Sequence, residues 1–495
     1  MPAWLVAVRD RLFAIFDPAR LTAAPELRFL GRTLFLAALV GVAAGIVGVG
    51  FVAVLDWTDR ALLQHIVVLE LGGGERGAVP VTASGVPYLL LFVPALGALA
   101  AGALLRFAPE AAGGGVDATL HAYHDEHAHL RRRVAGIKLV ASVLTLGSGG
   151  SGGREGPTMQ IGAAIGAGLA RLLDLDERER RLLYIAGVAA GMAAVFRTPL
   201  GAALFAVEVL YRDGFESDAL VPSVLASVFG YSVAVLVFGQ HAIFSFPRGL
   251  GFHPYHLPLY LALGIVAAGV GDLLIGGLRT ARARFARLPV PFWLQPALGG
   301  LGFGLCAAVA TFVGARLWFG EPRSLGLVGS GYGMVQAVFD HAPWLPVGLG
   351  GAGLLLALAL LKVACTSLTV GSGGSAGDFA PALVVGALAG GAFGHLTAWL
   401  FPSAGIDPTA FALVGMASLF GGAAHVPLAS LILACEMAGS YSLLVPSMLA
   451  IGVTSLLLRR RGLYDSPRRE APMRARLPTI TGAIPAPRLD DAPGR

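Results

Sequence analysis

Residues 147–157 read Gly-Ser-Gly-Gly-Ser-Gly-Gly-Arg-Glu-Gly-Pro, and this bend separates two apolar segments, 137–146 and 158–173. In a membrane, irregular backbone is tolerated only where protein buries it or where it lines a wet cavity. Because glycine has no side chain, the backbone N–H groups of the bend can approach a ligand closely. Pro157 suits the first turn of the helix that follows, and the N-terminal end of a helix attracts anions. The stretch therefore predicts an anion site. Because intramembrane ionisable residues are usually functional, we interpret Glu155 as an anion mimic that occupies this site or, once protonated, leaves it.

The composition is that of a polytopic protein of the cell membrane. Hydrophobic residues make up 56% of the 495 residues and charged residues only 13%, whereas soluble domains carry about 25% charged residues. The 69 glycines fit close helix packing and broken helices. Apolar segments near the ~20-residue spanning length recur along the chain: Phe35–Leu55, Tyr88–Leu105, Ala219–Phe238, Tyr260–Leu278, Leu301–Trp318 and Gly348–Cys365.

Charge and cysteine usage exclude other classes of protein. The net charge of +6 comes largely from arginines near the ends of the chain. An excess of arginine beside membrane spans is typical of cytoplasmic segments. Because these arginines do not form a soluble basic domain, they argue against a nucleic-acid partner. Cys306, Cys365 and Cys435 lie in apolar stretches, so we expect three buried free thiols. We divide the chain into an amphipathic cytoplasmic lead-in (1–32), a first membrane repeat (33–278), a basic connector (279–290), a second membrane repeat (291–464) and a short disordered cytoplasmic tail (465–495).

The two membrane halves are repeats of each other. A Gly-Ser-Gly-Gly run followed by proline occurs twice, with ten residues from the first glycine to the proline in both copies. A Pro-Leu pair with a glutamate nine residues after the proline also occurs twice. The matched residues are Gly147 and Gly371, Pro157 and Pro381, Pro199 and Pro427, and Glu208 and Glu436. Paired broken segments of this kind indicate a transporter binding site.

These residues resemble the motifs of the CLC family of chloride channels and chloride/proton antiporters. Gly153–Pro157 matches its GREGP motif, and Gly377–Pro381 matches its GxFxP motif. Gly113–Asp117 lies where its GSGIP motif belongs, and Leu463–Asp465 resembles the segment that carries its pore tyrosine. The resemblance implies an all-α inverted repeat of many tilted and broken helices. It also implies a homodimer in the lipid bilayer, with chloride or a similar anion as the transported species in each subunit.

The resemblance also implies the site residues. Glu155 would be the gating glutamate of the external side, and Tyr464 would offer its hydroxyl to the anion. Main-chain groups would line the rest of the anion site, at Gly114, Gly115, Arg154, Gly156, Asp378, Phe379 and Ala380. Donors without full positive charge bind an anion and still let it leave. We expect no cofactor, no bound metal and no enzymatic activity.

The inner loop departs from the family pattern. Gly114 replaces the pore serine, so one hydroxyl donor is missing, and Asp117 replaces the final proline of the motif. We interpret Asp117 as a helix N-cap; the alternative is a negative charge near the inner mouth. These departures bear on inner-site affinity and anion preference. The intact Gly-Pro after Glu155 argues against the fluoride-exporting branch.

The inner proton-transfer glutamate of the antiporters aligns with Val209, which cannot carry a proton. This favours a passive, Glu155-gated chloride channel, and the alternative is a chloride/proton antiporter. For the antiporter, the candidate proton pathway consists of Glu155 and Glu208, although Glu208 is also interpreted as a structural helix-end carboxylate. Asp378 is a substitute carrier, but the simpler interpretation is that it caps the helix near Pro381.

Three further features have alternative interpretations. The histidines at 121, 124, 127 and 129 suggest a metal site, but we prefer a solvated interfacial helix. Lys138 either reaches the interface or, as we favour, adds positive potential near the anion site. Ser148 or Ser151 with His425 would suit an intramembrane serine hydrolase, a remote alternative that requires contact between nucleophile and base.

Overall fold

The computed structural model describes residues 25–66, 87–247, 252–320, 323 and 325–470. Most of the predicted lead-in and of the predicted tail lies outside the described residues. Of these two segments, the structure describes only the stretch from Pro25 onwards and the stretch up to Glu470.

The described chain is built almost entirely from helices. The first half contains α1 (Pro25–Asp59), α2 (Pro87–Leu105), α3 (Val116–His124), α4 (Arg132–Gly147), α5 (Glu155–Leu172), α6 (Glu177–Phe196), α7 (Pro199–Glu208) and α8 (Leu220–Phe238). The second half contains α9 (Leu257–Ala286), α10 (Gln295–Ala308), α11 (Ala315–Phe319), α12 (Tyr332–Phe339), α13 (Gly348–Gly371), α14 (Phe379–Leu400), α15 (Pro408–Ala424), α16 (Pro427–Ala438) and α17 (Leu444–Leu457). Strands β1 (Tyr211–Asp213) and β2 (Arg468–Glu470) pair in parallel.

Seven stretches of the described residues are long and apolar enough to cross a membrane. Six of them contain the spans predicted from the sequence. The seventh, Phe379–Leu400, was not predicted as a span, and its apolar window is 89% buried inside the protein. A glycine-rich bend precedes it and glycines recur within it, so hydropathy alone does not set it apart from an irregular segment. The chain is a multi-pass membrane protein.

Two charged segments, the predicted basic connector and residues 174–181, are largely helical. The basic connector continues α9 as far as Ala286, because arginine and alanine favour helix and no proline intervenes before Pro289. The charged patch 174–181 contains the start of α6, where the Asp176 side chain accepts a hydrogen bond from the Glu179 N–H at 2.8 Å. An aspartate in that position is a common N-cap. The prediction for the cysteines also needs a correction, because Cys306 is partly exposed whereas Cys365 and Cys435 are buried; all three are free.

The repeated glycines let helices cross at close range. A Cβ atom at Gly162 on α5 would lie 2.1 Å from the carbonyl oxygen of Gly187 on α6. In the second repeat, a Cβ at Gly386 on α14 would lie 2.6 Å from the carbonyl oxygen of Gly415 on α15. Both crossings therefore exclude any side chain at the same repeat position, which explains the glycine spacing in the sequence.

Two glutamates join the repeats reciprocally. The Glu208 carboxylate at the end of α7 accepts hydrogen bonds from Leu428 N at 3.1 Å and Ala429 N at 2.7 Å, at the start of α16. The Glu436 carboxylate at the end of α16 accepts from Leu200 N at 3.2 Å and Gly201 N at 2.7 Å, at the start of α7. Each carboxylate satisfies N–H groups that have no partner within their own helix. This geometry agrees with the interpretation of both glutamates as structural.

Gly166→Ala is expected to lower the thermal stability of the detergent-solubilised protein. A Cβ at Gly166 would lie 2.0 Å from the Leu183 carbonyl oxygen, and such overpacking costs about 1–3 kcal/mol. Gly168→Ala on the same helix is the matched control, since a Cβ there meets nothing within 4 Å. Equal melting temperatures for the two variants would contradict the close crossing of α5 and α6.

Candidate functional site

Three glycine bends converge on one point inside the protein. Gly153 and Gly377 exchange two hydrogen bonds, and both N···O distances are 2.7 Å. Helices α5 and α14 begin two residues beyond these glycines, so their N-terminal ends lie side by side. The first of the three bends in chain order, around Gly114, packs against them, because a Cβ at Gly156 would lie 2.1 Å from the Gly114 carbonyl oxygen. Two sets of main-chain amides thus meet where side chains do not fit.

The Glu155 side chain lies between the two helix starts and is only 1% exposed. A Cβ placed on Gly153 would lie 1.9 Å from Glu155 Oε2 and 3.1 Å from the Ala380 nitrogen, so the carboxylate lies near the beginning of α14 as well as α5. Glu155 Oε1 accepts a hydrogen bond from the Tyr332 hydroxyl at 2.8 Å. Glu155 Oε2 has no hydrogen-bond partner among the described residues. A carboxyl group therefore occupies the place where the sequence predicts an anion.

The neighbouring residues present their backbone to this point. The Phe379 ring packs into the core against Phe196 and Phe420, at centroid distances of 4.7 and 4.1 Å. The Arg154 side chain extends towards Asp56, with 4.0 Å between nitrogen and oxygen. The side chains of both residues therefore serve packing and charge pairing elsewhere, and the anion-binding role of their main-chain groups stays a prediction.

Tyr464 is buried, with 2% of its surface exposed. Asp378, Asp117 and Glu155 lie close enough to act on its hydroxyl electrostatically, and Asp378 is also near enough to share a hydrogen bond with it. No described residue accepts from this hydroxyl with normal hydrogen-bond geometry. Because a buried donor without a good acceptor is costly, the Tyr464 hydroxyl is suited to binding a ligand and unsuited to anchoring at the membrane interface.

A cavity of about 340 Å³ opens beside the first bend, and Gly114, Gly115, Asp117, Arg282 and Asp378 contribute to its lining. Arg282 lies 3.8 Å from Asp117 and 3.7 Å from Asp378, measured between nitrogen and carboxylate oxygen. One guanidinium thus stands between two carboxylates. Both carboxylates occupy positions that the family pattern fills with other residue types.

The predicted capping roles of the two aspartates are wrong. Helix α3 is preceded by Gly115, whose φ of +88° suits glycine, so the N-cap position falls two residues before Asp117. Asp117 Oδ1 instead accepts hydrogen bonds from Asp465 N at 2.8 Å and Ser466 N at 3.1 Å. Asp378 does hold the N-cap position of α14, but its side chain makes no capping bond and faces the cavity.

Lys138 is fully buried and donates to the carbonyl oxygens of Ala111 at 3.0 Å and Gly113 at 2.7 Å. It therefore supports the first bend and does not reach the membrane interface.

A second buried lysine, Lys362, was not predicted from the sequence, although it follows Lys138 by the same 224 residues that separate Gly147 from Gly371. It is also buried, and it donates to the carbonyl oxygens of Gly326, Leu327 and Gly329.

Val209 and Glu208 lie at the end of α7. Val209 is buried, and Glu208 makes its hydrogen bonds with the start of α16. Arg282 and Tyr332 are further residues of the site that sequence reasoning missed. The spacing of the motifs does not point to either residue.

The histidines between 121 and 129 have separate partners, and one of them is buried. His124 Nε2 lies 2.9 Å from the Leu210 carbonyl oxygen inside the protein, which corrects the prediction of a wholly solvated helix. His121 lies near Asp125 and Glu126, and His127 hydrogen-bonds to Glu177.

The serine hydrolase alternative has no geometric support among the described residues. The Ser148 hydroxyl donates to Thr145 O, and the Ser151 hydroxyl pairs with Thr366. His425 Nε2 lies 3.4 Å from the Arg459 carbonyl oxygen. The serines therefore support the bend and lack the contact with a base that a nucleophile needs.

A family model for voltage gated chloride channels matches residues 96–459. The chain belongs to this family. It is 31% identical over 426 residues to an H(+)/Cl(−) exchange transporter ClcA of Yersinia pseudotuberculosis, a match covering 85% of this chain and 83% of the relative. It is also 31% identical over 427 residues to a putative chloride channel protein ClcB-like of Ralstonia nicotianae, with 84% and 91% covered.

Solved structures show the same fold. A slow cyanobacterial Cl⁻/H⁺ antiporter aligns with a TM-score of 0.69 at 24% identity, over 86% of this chain and 93% of the other. A CLC-type fluoride/proton antiporter aligns with a TM-score of 0.72 at 23% identity, over 90% and 100%. The predicted all-α inverted repeat is therefore confirmed, and this protein is a membrane anion transporter of the CLC family.

Tyr464→Phe is expected to weaken chloride binding about 2- to 10-fold, because it removes one hydroxyl donor without changing the packing of the ring. Isothermal calorimetry of the purified protein measures this change. Tyr260→Phe is the matched control, since Tyr260 is also buried and stacks on Phe411 with 4.6 Å between centroids. Unchanged affinity in Tyr464→Phe would remove the hydroxyl from the anion site.

Proposed function

We propose that the protein exchanges chloride for protons across the cell membrane. In this proposal Glu155 is the carboxylate that competes with chloride, and Asp378 is a second proton carrier on the inner side. The proposal is based mainly on the surroundings of Asp378. This residue is 1% exposed and faces the cavity beside the first bend. Its Oδ1 atom has no hydrogen-bond partner among the described residues. The proposal requires neither a cofactor nor an enzymatic step.

Exchange requires titratable groups reachable from both sides of the membrane. Glu155 lies between the starts of α5 and α14, and Asp378 lines the cavity beside the first bend. Asp378 can therefore take the role that Val209 cannot perform. Arg282, which lies 3.7 Å from Asp378, compensates the negative charge of this aspartate when it is ionised and makes the cavity less repulsive to an anion.

The anion is proposed to rest on main-chain amides at the starts of α5 and α14. Partial positive charges at helix starts attract anions but hold them less firmly than a lysine or arginine would. When Glu155 is ionised its carboxylate fills this place, and when it is protonated the competition for the amides weakens. Anion movement and protonation of Glu155 are thereby coupled.

The names of the relatives favour exchange over passive conduction. The Yersinia relative is named an exchange transporter and the two solved neighbours are antiporters, whereas the Ralstonia relative is named a putative chloride channel protein. Chloride is proposed over fluoride because Gly156 and Pro157 follow Glu155 unchanged. The passive channel stays the second candidate, since Val209 is buried where an antiporter carries its inner glutamate.

We further propose that two chains form a homodimer with one pathway in each. The three bends, Glu155 and Tyr464 all belong to a single chain, so a pathway needs no residue from a partner. Light scattering of the purified protein tests the assembly, and a monomer at all concentrations would contradict it.

Asp378→Asn is expected to abolish chloride-driven proton movement in proteoliposomes while chloride flux persists, because asparagine preserves the shape but carries no proton. Chloride and pH are recorded together after a chloride gradient is imposed. Asp174→Asn, at an exposed position between α5 and α6, is the control and should couple as the wild type does.

Two outcomes would contradict this proposal in different ways. A wild-type protein that moves chloride without protons would be a passive channel. Proton movement at the wild-type rate in Asp378→Asn would leave exchange intact and remove Asp378 from the proton route.

A further inference from the structure

The bend before α12 is the repeat copy of the first bend. In both bends two glycines with positive φ enclose one residue, and the second glycine is the N-cap of a short helix. The φ values are 66° and 88° at Gly113 and Gly115, and 62° and 86° at Gly329 and Gly331. A buried lysine lies beneath each bend and donates to its carbonyl oxygens, Lys138 in the first copy and Lys362 in the second.

The two copies differ in the residue that begins the helix. Val116 begins α3, whereas Tyr332 begins α12, and only the tyrosine has a hydroxyl. That hydroxyl donates to Glu155 Oε1 at 2.8 Å. The Tyr332 ring packs edge-on against Phe244, with 5.3 Å between centroids, and all eight residues of α12 are buried. The donor is therefore held in place by its surroundings.

The Tyr332 hydroxyl donates a hydrogen bond directly to Glu155, and several other groups surround this carboxylate. The groups that face Glu155 come from several elements: Arg154 beside it on α5, Tyr332 on α12, the Ala380 amide on α14, and Tyr464 after α17. Asp56 lies near the Arg154 side chain, and Asp378 and Asp117 act on Tyr464. The Lys362 ammonium group would lie 3.2 Å from a Cβ at Gly331. It donates its hydrogen bonds to three carbonyl oxygens and not to Glu155.

We propose that Tyr332 is a positioning residue that holds ionised Glu155 in the anion path and so sets the pH at which the path opens. This inference rests on the proposed competition between Glu155 and chloride. A hydroxyl donates a stronger hydrogen bond to a carboxylate than to a neutral carboxylic acid. The contact therefore stabilises the closed, ionised state more than the open, protonated one. The first repeat has no counterpart, because Val116 cannot donate.

Tyr332→Phe tests this role with little change in shape. Without the donor, the ionised state loses stabilisation and Glu155 is protonated at higher pH. The midpoint of acid-activated chloride flux should therefore move upward by about one pH unit. Flux at a fixed pH above the midpoint should rise by up to about tenfold. Flux is measured in proteoliposomes across a pH series with the full chain.

Two controls separate this role from a structural one. Tyr184→Phe removes another buried hydroxyl, which donates to Thr119 O at 2.8 Å, and it should leave the midpoint unchanged. In a Glu155→Gln background, Tyr332→Phe should produce no shift, because residue 155 no longer titrates. An unchanged midpoint in Tyr332→Phe, or an equal shift in the Glu155→Gln background, would overturn the proposal.

A second substitution gives the opposite sign. Fluorotyrosine at position 332 keeps the hydroxyl and makes it a stronger donor, so the midpoint should move to lower pH; no movement would overturn the proposal even if Tyr332→Phe failed to fold. Chloride-driven proton movement is recorded separately. A shifted midpoint in a protein that moves no protons would keep the role of Tyr332 and contradict exchange.

Discussion

Two hydrogen bonds of 2.7 Å between Gly153 and Gly377 hold the starts of α5 and α14 together. The candidate site depends on this contact, because it aims two sets of unpaired helix N–H groups at one buried point. In the proposed function, partial charges on these amides stabilise an anion without trapping it. Glycine is needed because a Cβ on Gly156 or Gly153 would collide with its neighbours. The same point also accommodates the Glu155 carboxylate, and for this reason we propose that protein and solute compete for one set of donors.

The side chains around this point differ from the family pattern at several positions. The inner loop lacks a hydroxyl at Gly114, and α7 ends without a proton carrier at Val209. The carboxylates of Asp378 and Asp117 lie instead on either side of Arg282. On the other repeat, Tyr332 supplies a hydroxyl that its counterpart Val116 cannot. The glycine bends thus match the family motifs, while Gly114, Asp117 and Val209 differ from the family pattern.

The sequence was sufficient to predict the glycine bends and the repeat, because glycine and proline spacing is a local property; the gating role of Glu155 stays a prediction. It was insufficient for contacts between distant segments. Tyr332 lies 177 residues from Glu155, and no periodicity relates them. The capping role predicted for Asp117 was wrong because the start of α3 depends on the positive φ of Gly115, which composition does not reveal. Lys362 could have been found, since it follows Lys138 by the repeat offset.

The most direct test of the central claim is the position of a bound halide. Bromide scatters anomalously, so crystals of wild-type protein and of Glu155→Gln grown in bromide locate the anion. If the Glu155 carboxylate and the anion compete for the same amides, Glu155→Gln should show an additional bromide between Gly153–Gly156 and Gly377–Ala380, where the wild type holds the carboxylate. Bromide absent from that point in Glu155→Gln, or present there in the wild type beside an unmoved carboxylate, would contradict the account.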